Sequence, residues 1–217
     1  MSSPPPHASW PIGFGATCLR ATLYILLIAV IAQGVYLEAQ HLPETRFSEQ
    51  GFTELAQTTL LASASALLLY VMLGLRQLRL VALLMFGFLF ASLIREQDAH
   101  LDTHVFDGAW QLLVSLTLLP ILAAVIRLRR RFAAEFATYA NSFSFGLFAA
   151  GFLTTYVFSR LYGRQDMWRA ILQEHYLRDF KSAAEEVVEL FGYALLLIAV
   201  IELSLLARRW ALARRAG

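Results

Sequence analysis

Six stretches of the chain carry almost no Asp, Glu, Lys or Arg: 21–37, 55–75, 80–94, 108–126, 136–159 and 190–207. Charged residues bound each of them, and the last contains a single acid, Glu202. A helix needs roughly 20 apolar residues to cross the hydrocarbon core of a bilayer. Inside that core only a helix or a closed barrel satisfies its own backbone. The pattern therefore predicts an all-α membrane protein, a six-helix transmembrane bundle with spans near 20–38, 53–75, 78–98, 108–127, 136–160 and 183–207. The third run is only fifteen residues long. Its helix must carry Arg95, and Glu96 or Asp98 with it, into the membrane boundary. Pro120 predicts a kink in the fourth span.

The segments between the runs are less regular. Pro4, Pro5, Pro6 and Pro11 stand among small polar residues and predict a disordered tail over 1–19. The first apolar run reads as an uncleaved helix: its one preceding positive charge follows the Pro-rich tail, and no small-x-small cleavage site is evident. In 160–189, Trp168, Ile171, Leu172, Tyr176 and Phe180 recur at helical spacing, with Arg169, Glu174, Arg178 and Lys181 elsewhere on the wheel. This predicts an amphipathic helix over 166–181, lying in the outer interface or capping the bundle. Ser182 and Glu185 fit a capping box that starts the sixth span near Ala183. Small residues at Ser142, Gly146 and Ala150, at Thr59 and Ser63, and at Ala62 and Ala66 predict close helix packing.

Composition agrees with this reading. The 217 residues are 58% hydrophobic and 16% charged, where soluble domains are nearer half apolar and about a quarter charged. The one cysteine, Cys18, excludes an intramolecular disulfide. There is no nucleic-acid motif and no basic groove with interleaved aromatics. The net charge of +2 is unevenly spread. Eleven Lys/Arg fall on the N-terminal flank, the even-numbered connections and the C-terminus, against seven on the odd-numbered connections. Positive residues stay cytoplasmic, so both termini are expected inside. Fourteen of the sixteen carboxylates then fall on the outer side, leaving Glu135 inside and Glu202 within the membrane.

Three helix ends bring acids to that outer boundary. The second span opens with Glu54, Gln57 and Thr58 on one face. The third closes with Arg95, Glu96, Asp98 and His100. The sixth opens with Glu185, Glu186 and Glu189, with Tyr193 one turn further. Acids at a helix N-terminus are favoured by the dipole, which explains Glu54 and Glu185 as capping. Acids at the end of the third span are not explained that way. They need Arg95, a second arginine such as Arg160, solvent or a bound cation. The binding residues expected are Glu54, Gln57, Arg95, Glu96, Asp98, Arg160, Glu186, Glu189 and Tyr193. A divalent metal is a second reading, because Glu96/His100, Asp98/Asp102 and His100/His104 are i, i+4 pairs. Its ligands would come from His100, His104 and Asp102, with His41, His175, Glu54 or Glu189 completing the shell. Glu202 reads as a snorkelling acid, the partner of an inner arginine, or a half-channel carboxylate. No nucleophile elbow, phosphate loop or dinucleotide fingerprint is present.

Glu49-x-Gly51-x-x-Glu54-x-x-Gln57, followed by Arg95-Glu96-x-Asp98-x-x-x-Asp102, resembles an uncharacterised family of bacterial polytopic inner-membrane proteins with an acid-Gly-x-x-Glu helix start and an Arg-Glu-x-Asp helix end. Glu185-Glu186-x-x-Glu189-Leu-x-Gly192-Tyr193 is similar to that pattern. The resemblance implies the bacterial inner membrane and no particular activity. His100 and His104 are similar, more weakly, to the His sets of alkaline ceramidase-like membrane hydrolases. The expectations are a site that binds or transports a cation, a proton or a lipid headgroup; a metal-dependent hydrolase acting on membrane lipid; or a structural protein whose charges only pair with one another. The bilayer itself is the one partner expected in every case.

Overall fold

The structure is a computed structural model and describes residues 12–41 and 51–216. Ten α-helices occur among these residues, and no strand. They are α1 (Phe14–His41), α2 (Phe52–Leu69), α3 (Arg79–Arg95), α4 (Asp98–His104), α5 (Ala109–Arg127), α6 (Arg129–Ala140), α7 (Phe143–Phe152), α8 (Ser159–Tyr162), α9 (Gln165–Leu172) and α10 (Arg178–Ala216). α2 continues into a π-helical turn, Tyr70–Leu75, and a second one, Leu153–Phe158, joins α7 to α8. Among the described residues four helices are long and apolar enough to cross a membrane, or up to six if each of two bent pairs is one span.

α10 is the axis. Leu190, Tyr193, Ala194, Leu196, Leu197, Ala199, Val200, Leu203 and Ala207 are all buried along it. A helix apolar around most of its circumference belongs in the middle of a bundle. α2 and the α7–α8 rod pack against it. The second contact is close because of glycine: a Cβ on Gly151 would lie 2.9 Å from Leu196 Cγ and 3.0 Å from the Gly192 carbonyl, and one on Gly192 would overlap Thr155 Oγ1. Small residues let helices approach in this way where no side chain intervenes. α1 lies on the outside, with Leu19, Leu23, Leu26, Val30 and Leu37 exposed.

Two helix N-termini are capped by carboxylates from other helices. Glu38 of α1, almost fully buried, accepts from Thr53 N at 2.9 Å and Thr53 Oγ1 at 2.6 Å at the start of α2. Glu135 of α6 accepts from Leu80 N at 2.7 Å at the start of α3, and from Arg131 Nε at 3.1 Å. In each case a negative group meets the orphan N–H groups and the positive end of a helix dipole.

Several expectations need correction. The expected tail over 1–19 is helical from Phe14 onward, because nothing after Pro11 interrupts a helix; residues 1–11 lie outside those described. The expected third span, 78–98, ends at Arg95, turns at Glu96–Gln97 and resumes as α4 at 62°. The expected fifth span, 136–160, is broken at Asn141–Ser142, where α6 meets the α7–α8 rod at 97°. There Ser142 caps α7 by accepting from Phe145 N. The amphipathic helix over 166–181 is not continuous. It stops at Leu172, a 3-10 turn spans Gln173–His175 with Gln173 at φ 50°, and α10 starts at Arg178. Ser182 is therefore inside a helix and not its cap. Asp179 occupies the first turn instead, and Lys181 pairs with Glu185 across one turn. The small-residue rows point outward. Thr59, Ala62, Ser63, Ala66, Gly146 and Ala150 are exposed, while Ala64, Ser65, Ser144 and Gly151 face inward.

Candidate functional site

The site is built where α2 begins and α3, α8 and α10 bring their charged turns together. Glu54 and Gln57 come from the first two turns of α2, and Arg95 and Glu96 from the end of α3. Arg160 stands on α8, and Glu185, Glu186, Glu189 and Tyr193 are on the second to fifth turns of α10. The helix registers make this convergence local. Positions three or four apart share a face, so Glu186, Glu189 and Tyr193 form one stripe on α10, as Glu54 and Gln57 do on α2.

Glu189 is the buried centre. It receives Arg160 Nη2 at 2.9 Å, the Ser159 hydroxyl at 3.3 Å and Arg95 Nη2 at 3.5 Å. Arg95 Nη2 also donates to Glu96 Oε1 at 2.8 Å, which takes the Tyr193 hydroxyl at 2.7 Å. Arg160 reaches outward through Nη1 to Glu185 at 2.9 Å, and Lys181 pairs with the other oxygen of Glu185. Buried charge is tolerated only when it is paired and hydrogen-bonded, and here each buried acid meets a cation or a donor. Gln57, fully buried, donates through Nε2 to Glu186 Oε2 at 2.9 Å and to the Glu186 carbonyl at 3.2 Å. Its Oε1 is enclosed without a hydrogen-bond partner.

Above this network lies a cavity of about 450 Å³, lined by Glu54, Arg95, Glu96, Gln97, Asp98, Ala99, His100, Arg160, Glu186 and Glu189. Five carboxylates face two guanidiniums there, a formal excess of three negative charges. Below it the polar character fades within one turn. Tyr156 and Ser92 share a 2.6 Å hydrogen bond, and Tyr156 packs edge-on to Tyr193. Beneath them Leu89, Leu196, Ala199, Val200 and Leu203 are all buried.

Of the residues expected to bind, Glu54, Arg95, Glu96, Asp98, Arg160, Glu186 and Glu189 line this cavity. Gln57 and Tyr193 support it from behind, through Glu186 and Glu96. Asp98 is not an acid at a helix C-terminus, as the chain order suggests. The break after Arg95 places it in the first turn of α4, where its Oδ1 accepts from Ala99 N at 2.6 Å. Only Glu96 remains at an unfavourable helix end, and Arg95 and Tyr193 offset it.

The metal ligand set does not assemble. No group of three or more His, Cys, Asp or Glu among the described residues is arranged to hold a metal ion. His100 and His104 are exposed and stack on each other, with ring centroids 4.2 Å apart. Asp102 Oδ1 accepts from Gly108 N at 3.0 Å and so closes the turn into α5. His175 is exposed on the turn after α9, and the side chain of His41 lies outside the described residues. Glu49, part of the motif resemblance, also lies outside them.

Four residues of the site were not singled out in the sequence. Ser92, Tyr156 and Ser159 are uncharged hydroxyl residues within apolar runs, a pattern that packing explains equally well. Gln97 bridges α3 to α2 through Thr58 Oγ1 at 2.9 Å. Its only sequence signal is its place between Glu96 and Asp98. Away from the cavity, Glu202 pairs with Arg20 at 2.9 Å and accepts from the Tyr24 hydroxyl at 2.6 Å. The partner of Glu202 is thus an arginine of α1.

No protein-family model, curated protein or solved structure matches this chain.

Proposed function

We propose that the chain is a six-span protein of the bacterial inner membrane with both termini cytoplasmic, and that its outer cavity binds a small organic cation, either free or as the ammonium of a lipid headgroup. Under this assignment α3–α4 and the α6–α8 segment each contribute one span, and α9 lies at the outer boundary. The charge segregation along the chain supports the orientation. α10, with 39 residues, is about 58 Å long at the usual rise per residue. It exceeds the roughly 45 Å of a bilayer with its headgroups, so both of its charged ends reach water.

The observation that carries the binding reading is the lining of the cavity, with five carboxylates against two guanidiniums. The volume argues for the size of the ligand. A bare ion or a single water needs on the order of 30 Å³, whereas about 450 Å³ falls within the roughly 300–1,000 Å³ of small-molecule pockets. The absence of a three-ligand metal group among the described residues favours an ammonium, which accepts looser geometry than a divalent metal. The apolar column below Tyr193 supports access from one side. Glu189 and Glu202 are thirteen positions apart on α10, about 20 Å along the helix. Part of the charge is structural in this reading: the Lys181–Glu185–Arg160 chain at the rim joins α8 to α10.

The test is thermal unfolding of the full-length protein in detergent, with ethanolammonium chloride against sodium chloride at equal ionic strength. A ligand at a hundred times its Kd stabilises by about 2.7 kcal/mol, which raises Tm by about 5–10 °C in a chain of this size. Glu186→Gln should abolish most of that rise. An identical response to the two salts would overturn the proposal.

A further inference from the structure

At the opposite end of α10 lies a larger cavity, of about 670 Å³. The 97° bend between α6 and α7 creates it. Residues on both sides of that bend line it, together with the first turns of α1 and the last turns of α10. Its wall has two characters. Phe143, Leu206 and Trp210 present apolar surface, while Arg20, Arg209 and Asn141 present polar groups.

We propose that this cavity is a binding site for an anionic phospholipid of the cytoplasmic leaflet. The headgroup lies against Arg20 and Arg209, and an acyl chain leaves along the exposed apolar face of α1. The inference uses the span assignment and is independent of what the outer cavity binds. Three observations carry it. The lining holds two guanidiniums and one carboxylate, Glu202, and Glu202 is already bonded to Arg20 Nη1 and the Tyr24 hydroxyl. Its charge is therefore spent on orienting Arg20, whose bond to it uses a single nitrogen. Second, exposed Arg208, Arg214 and Arg215 share the last turns of α10 with Arg209 of the wall, and exposed Arg129 and Arg130 stand at the other end of α6, about two turns from Thr138 of the wall. Such a field attracts anions, and basic pockets between helices at the cytoplasmic boundary suit acidic headgroups. Third, Ile25, Ala29 and Ala32 continue from Ala21 of the lining along one face of α1 as exposed apolar side chains. The ligand that matches a basic end and an apolar exit is an amphiphile.

The experiment is native mass spectrometry of the full-length protein released from detergent with equimolar phosphatidylglycerol and phosphatidylcholine of identical chains. Phosphatidylglycerol should be retained in preference by about tenfold, equivalent to about 1.4 kcal/mol. Ala21→Phe, which fills the cavity from an exposed position on α1, should remove the adduct. Arg209→Gln should bring the two lipids towards parity. Should either variant fail to fold, tryptophan fluorescence gives a second readout. Brominated phosphatidylglycerol should quench the part of the fluorescence that Trp210→Phe removes, and brominated phosphatidylcholine should do so less. Equal retention of the two lipids, an undiminished adduct in Ala21→Phe, or equal quenching would overturn the proposal. Competition by soluble glycerophosphate as effective as that by the lipid would also overturn it, because the apolar exit would then play no part.

Discussion

Replacing Arg160 with glutamine probes the buried centre of the outer network. Glu189, with a side chain 2% exposed, has Arg160 Nη2 at 2.9 Å as its closest cation and Arg95 at 3.5 Å as its second. Arg160→Gln leaves that carboxylate in a protein interior with one longer ion pair. Breaking a fully buried pair costs about 3–5 kcal/mol. The Arg160 side chain is 44% exposed and Arg95 remains, so the fitting magnitude is the roughly 1.5–3 kcal/mol of a charge-assisted hydrogen bond. For a chain of this size that is a loss of about 3–12 °C in Tm. The double change Arg160→Gln with Glu189→Gln removes the stranded charge and should recover most of the loss. Arg131→Gln is the control. It breaks a pair of the same chemistry with Glu135, but on an arginine 62% exposed and one turn away, where about 0.3–0.5 kcal/mol is at stake. Thermal unfolding in one detergent, followed by near-ultraviolet circular dichroism, measures all three. Equal losses for Arg160→Gln and Arg131→Gln, or a double variant weaker than the single, would refute the reasoning.

Two further outcomes follow from the packing. Gly192→Ala should destabilise by about 1–3 kcal/mol through overpacking against Thr155, whereas Gly146→Ala, whose new methyl meets open space, should be neutral or slightly stabilising; parallel melts separate them. Glu38→Ala should cost about 1–2 kcal/mol by uncapping α2 and should speed amide hydrogen exchange at Thr53 more than at Leu61.

The helical class was legible because burial in lipid demands uncharged runs, and those runs are long. Their edges were less legible where the deciding groups carry no charge. The bend at Asn141–Ser142 falls inside an uninterrupted apolar run, and only a small polar pair marks it. The direction of a helix face was not legible from spacing alone: Gly146 and Gly151 are both small, and only contact with α10 distinguishes them. The outer cavity drew on charge, the strongest signal in an apolar chain, so its acids and arginines stood out in the sequence. The hydroxyls beneath it did not, because Ser92, Tyr156 and Ser159 acquire meaning only from partners thirty or more positions away on another helix. Glu38 reads as the end of a span until its hydrogen bonds to Thr53 turn it into the cap of the next one.

Labelling at position 99 tests the central claim most directly. Ala99 lines the outer cavity, and Cys18 is the chain's single thiol, so Ala99→Cys with Cys18→Ser carries one reporter. In intact cells a membrane-impermeant maleimide should label it, and ethanolammonium should slow that labelling several-fold relative to sodium. Labelling that requires permeabilised cells, or a rate indifferent to the ammonium ion, would contradict the account.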